Sequence, residues 1–140
     1  MSAEHARAQR LLTVLLGVAI LVSVVHYADN YFNYGDFPHG DGPEPPAGLV
    51  LAAWFILTPL GIAGWVFFRR GDLATAGFLL IAYSFSGLVG IGHYTVDGMT
   101  GEPVWRQAHV VADIVFGFAV FAFGAWALMR RRDARPVRFP

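Results

Sequence analysis

Three stretches of this 140-residue chain place a histidine and an aspartate at helical spacing: His26 and Asp29, His93 and Asp97, His109 and Asp113. Residues three or four apart share one helix face, so each pair would project the same way from its segment. Imidazole nitrogens together with carboxylate oxygens make a donor set for a divalent metal, zinc first, with iron and copper also fitting. A carboxylate one turn from a ligating histidine can orient its second ring nitrogen. His26, Asp29, His93, His109 and Asp113 are therefore the candidate metal ligands. Asp29 and Asp113 are also the candidate catalytic bases for a metal-bound water. There is no cysteine, so thiolate ligands, thiol nucleophiles and disulfides are excluded.

The segments that carry these residues read as membrane spans. The chain is 56% hydrophobic and only 14% charged, which suits a bilayer better than water. Four apolar runs approach or exceed the ~20 residues a helix needs to cross the hydrocarbon. They cover about 11–27, 48–68, 73–94 and 104–129. The runs are continuous and do not alternate, and backbone groups in lipid must pair internally, so helices are expected. The fold class expected is all-α: an integral membrane four-helix bundle forming a single domain over residues 1–140. The first run, which follows Arg7 and Arg10, is read as a retained span because no small-x-small cleavage site follows it.

Arginine placement orients the bundle. Arg7, Arg10, Arg69, Arg70, Arg130, Arg131, Arg132, Arg135 and Arg138 all fall on one side, and only Arg106 falls on the other. The positive-inside rule makes the first side cytoplasmic, together with both termini. The chain is then a multi-pass protein of the cell membrane, read as a bacterial inner membrane. Its arginine-rich tail would meet anionic lipid headgroups. The opposite side carries Asp29, Asp36, Asp41, Glu44, Asp97 and Glu102. Between the first two spans, residues 30–47 form an outer loop rich in aromatics, glycine and proline, expected to lie over the bundle mouth as a lid. His39 in that loop is read as solvated, and His5 as uninvolved.

Counted from the arginines at ~1.5 Å per residue, the histidines and aspartates of three spans fall in one band roughly 10 Å deep near the outer surface. Ionisable groups within spans usually face the bundle interior and find partners. Three readings of the band stay open: a metal centre, a metal-free polar network locking the helix ends, and haem held by two of the three histidines. Small residues, among them Gly77, Gly87 and Gly90 in the third span and Gly117 and Gly124 in the fourth, mark close helix contacts. Pro59 is expected to kink the second.

The segment His26-Tyr27-Ala28-Asp29-Asn30, the Pro43-Glu44-Pro45-Pro46 loop and the run from Trp54 to Gly61 resemble a group of small bacterial four-helix membrane proteins of unassigned function. The histidine-aspartate spacing on a span also resembles, at the level of motif, the intramembrane zinc hydrolases of the ceramidase and adiponectin-receptor type. That likeness implies three histidine ligands, matched by His26, His93 and His109, with Asp29 or Asp113 as the acid. The chain departs from those enzymes in having four spans instead of seven and in lacking their paired-histidine motif. The expected function is thus a membrane-embedded metal-binding protein, with hydrolysis of a lipid-like substrate as one extension. The alternatives are non-catalytic haem, quinone or metal binding, or a role as accessory subunit, as a homo-oligomer or within a larger membrane complex. No nucleic-acid motif is present.

Overall fold

The computed structural model describes residues 3–42 and 44–133. Arg135 and Arg138 of the basic tail and Pro43 of the loop lie outside the described residues. Four helices dominate: α1 (Ala3–Phe32), α2 (Ala47–Arg69), α3 (Leu73–Leu88) and α4 (Val104–Asp133). A 3₁₀ segment, Val89–Thr95, continues α3, and single 3₁₀ turns occur at Tyr34–Asp36 and Met99–Gly101. The four helical stretches, with α3 counted through Thr95, are each long and apolar enough to cross a membrane. α1 packs on α2 and α4, and α3 also packs on α2 and α4, so the helices form an up-down-up-down ring.

Local sequence explains the ends. α1 meets no glycine or proline between Gly17 and Gly35, so it runs well past its apolar stretch at both ends and carries Asp29 and Asn30 on its last turns. Between α2 and α3, Gly71 adopts φ +81° and the amides of Gly71 and Asp72 bond back to the carbonyls of Phe68 and Phe67. This is a glycine-terminated helix end. Asp72 then caps α3, accepting from the Thr75 amide at 3.1 Å. α3 departs from the expected uninterrupted helix. After Gly87 the chain winds more tightly through Gly90 and Gly92, residues with low helix propensity. His93 and Asp97 therefore lose their α-helical spacing, and Asp97 is exposed.

Close contact between α3 and α4 depends on glycine. A methyl built on Gly87 would lie 2.3 Å from the carbonyl oxygen of Asp113, and one on Gly117 would lie 3.0 Å from the Ser84 carbonyl oxygen. Gly77 and Gly124 repeat the arrangement two to three turns towards the arginine end. There the core is apolar: Leu12, Leu16 and Ala19 of α1 pack with Phe68, Ala76, Leu80, Val120, Phe123 and Ala127. At the other end a smaller apolar cluster joins Phe37, Met99, Val110 and Ile114. The polar site lies towards this second end.

Candidate functional site

His26, Asp29, His93, His109 and Asp113 come together at the end of the bundle opposite the arginines of its helix ends. The pairing within the cluster differs from the spacing on single helices. Nδ1 of His26 lies 2.6 Å from a carboxylate oxygen of Asp113, and Nε2 of His109 lies 3.1 Å from one of Asp29. Each aspartate thus serves the histidine of the other helix. α1 and α4 are antiparallel, which puts His26 level with Asp113 and Asp29 level with His109. His93 enters from the 3₁₀ segment, with its Nε2 3.3 Å from Nε2 of His26. The His26 ring centre is 5.4 Å from that of His93 and 5.6 Å from that of His109. Gly90 makes room for His26, since a methyl there would lie 3.2 Å from its Cε1.

The two aspartates have different surroundings. Asp113 is 2% exposed, and its carboxylate bonds only to His26 among the described residues. Asp29, 6% exposed, accepts from Asn33 at 2.7 Å, from Nε of Arg106 at 3.0 Å and from His109. Arg106 is itself 5% exposed. It also donates to Glu102 at 2.6 Å and to the Asp36 carbonyl at 3.3 Å, and lies 4.4 Å from the centre of the Phe37 ring. One guanidinium thereby ties α1, α4 and the 33–46 connection together. Sequence reasoning passed over this residue as a site member. Its signal was present, since it is the one arginine of the acidic side and stands four residues after Glu102.

The connection packs against the cluster through Phe37. Phe37 is buried, and its ring centre lies 5.0 Å from that of His93. The Tyr34 hydroxyl donates to the Pro45 carbonyl at 2.8 Å. Farther out, Glu44 is clasped by the Gly40 amide and the His39 ring, and these hold its carboxyl below the usual carboxylate range. His39 is exposed and bonded to Glu44, and His5 stacks on Phe68 at the other end of the bundle. Neither joins the cluster.

Between the site and the apolar core several hydroxyl side chains are buried, among them Ser23, Ser84 and Ser86. Tyr27 donates to the Ser86 carbonyl at 2.8 Å, and the Trp54 indole donates to Ser23 at 3.0 Å. Two buried polar atoms have no partner among the described residues: Oγ1 of Thr58 and Nδ1 of His109. Among the described residues, no three histidine, aspartate or glutamate side chains already surround a common point as metal ligands do.

A buried His/Asp/Arg cluster at one end of a four-helix bundle with four candidate membrane spans is the class that fold and site define. Comparison with protein-family models, with curated proteins and with solved structures finds no match for this chain.

Proposed function

We propose that the chain is a membrane-embedded metal-binding protein that holds a divalent ion, zinc by preference, between His26 and His93. The observation that carries this reading is the 3.3 Å separation of their Nε2 atoms, with Asp113 behind His26. Two nitrogens bound ~2.0–2.1 Å from a tetrahedral zinc stand about 3.3–3.4 Å apart. Asp113 accepts the hydrogen bond of Nδ1–H, which leaves Nε2 of His26 with a free lone pair. This is the carboxylate–histidine arrangement found behind metal ligands. Charge supports it too. A buried carboxylate needs a counter-charge, and a dication on the far side of His26 supplies one without protonating the ring.

Haem fits less well, because two axial imidazoles face each other across one iron at about 4 Å, twice a metal–nitrogen bond. Hydrolysis of a lipid-like substrate has one feature in its favour. An apolar cleft of about 150 Å³ opens between α1 and α2, lined by Tyr27, Tyr31, Phe32, Leu51, Trp54 and Phe55, and Tyr27 adjoins His26. However, Asp29 and Asp113 are both committed to histidines, which favours an orienting role over that of a general base.

Elemental analysis of the full chain, purified in detergent without chelator and then exposed to zinc, tests the reading. About one ion per chain is expected, falling sharply in His26→Ala and His93→Ala. Wild-type protein that retains no zinc, iron or copper would leave a metal-free hydrogen bond between the two rings and end the proposal.

The arginine bias makes the site extracytoplasmic and both termini cytoplasmic. Reporter fusions at Gly71 and after Arg132 are expected to read as cytoplasmic and one at Gly42 as external. A cytoplasmic Gly42 would reverse the orientation.

A further inference from the structure

His109 contradicts the usual rule for buried polar atoms. It is 8% exposed, its Nε2 is bonded to Asp29, and its Nδ1 is buried with no partner among the described residues. A buried nitrogen left unpaired is destabilising, and few native groups are left so without a reason. The tautomer is set by Asp29. Both oxygens of that carboxylate already accept, one from Asn33 and the other from Arg106, so the second accepts from Nε2–H of His109 as well and Nδ1 carries the lone pair. The free lone pair thus sits on the side of the ring that makes no bond.

We infer that His109 is the third protein ligand of the ion, binding through Nδ1, and that Arg106 and Asn33 position it by fixing Asp29 on its Nε2. This rests on the metal reading above. Two of the three ring spacings match: imidazoles on one tetrahedral ion have centres roughly 5 Å apart, and the His26 ring lies 5.4 Å from His93 and 5.6 Å from His109. The same device then appears twice, Asp113 behind His26 and Asp29 behind His109, each carboxylate reaching from the opposite helix. Because no three such side chains among the described residues already surround a common point, three-histidine binding requires the His109 ring to move towards the His26–His93 pair. Three histidines leave a fourth position for water or an added ligand, the pattern of an open zinc site rather than a closed structural one.

X-ray absorption at the zinc edge of the zinc-loaded, detergent-purified full chain counts the imidazoles. The wild type is expected to show three. His109→Gln keeps an amide near Nε2 for Asp29 but has no donor at Nδ1, so it is expected to fold, show two imidazoles and bind zinc about 100-fold more weakly. Arg106→Gln is expected to keep three imidazoles while weakening binding about 10- to 100-fold, the behaviour of a positioning residue. Zinc held on two imidazoles in the wild type would overturn the inference and leave the His26–His93 reading standing. Unchanged affinity in a folded His109→Gln would do the same. A wild type that binds no metal would remove both.

Discussion

Gly87→Ala is expected to destabilise the bundle strongly, because its new methyl would lie 2.3 Å from the Asp113 carbonyl oxygen. A clash with the end of a flexible side chain could be relieved by a rotamer change, but this one is with backbone. α3 and α4 must move apart, and the glycine contact at Gly117 opens with them. Overpacking of a close-packed interior typically costs about 1–3 kcal/mol, and a backbone clash belongs at the upper end. The separation also draws Asp113 away from His26, so on the proposed metal reading occupancy is expected to fall with stability. Gly17 provides the control. It lies inside α1, and a methyl there meets nothing within 4 Å, so Gly17→Ala is expected to be neutral or to stabilise by ~0.5–1 kcal/mol through helix propensity. Thermal unfolding of the two variants in the same detergent checks this. A Gly87→Ala protein as stable as wild type would mean that α3 and α4 do not pack in this register.

Arg106→Leu is expected to be the most damaging single substitution at the site. It leaves Asp29 buried with Asn33 and His109 as its only partners among the described residues. Removing one member of a buried ion pair costs about 3–5 kcal/mol, because the other charge stays behind uncompensated. Arg106→Lys is expected to recover little. An ammonium cannot reproduce the planar fork that reaches Asp29, Glu102 and the Asp36 carbonyl together. The double variant Arg106→Leu with Asp29→Asn removes both charges and is expected to regain a substantial part of the loss. Denaturation of the four proteins of the cycle measures the coupling. Strictly additive effects would show that the pair contributes nothing as a pair.

Much of the architecture was legible in the residues. Four apolar runs bounded by arginines or by loops rich in glycine and proline specify four helices, since a backbone in hydrocarbon has few other ways to pair. Counting residues from the arginines also put the histidines and aspartates in one band. The pairing was not legible. His26–Asp29 and His109–Asp113 satisfy the same-face rule on their own helices, yet the bonds run His26–Asp113 and His109–Asp29. The rule gives direction along one cylinder. It carries no information on what the facing, antiparallel cylinder presents at the same height. The loss of α-helical spacing between His93 and Asp97 had a local signal in Gly87, Gly90 and Gly92. The role of Arg106 had one in its position, a lone cation among carboxylates.

The sequence by itself determined the number of helices, the end of the bundle at which the ionisable groups gather, and the residue types available there. These follow from hydropathy, from the rise of a helix and from composition, all properties of one segment at a time. Only the tertiary structure decided which carboxylate serves which imidazole, which ring nitrogen is left bare and which residue covers the site. Those outcomes depend on contacts a few ångströms long between segments dozens of residues apart. They turn on details such as a glycine that lets α3 lie against the Asp113 carbonyl.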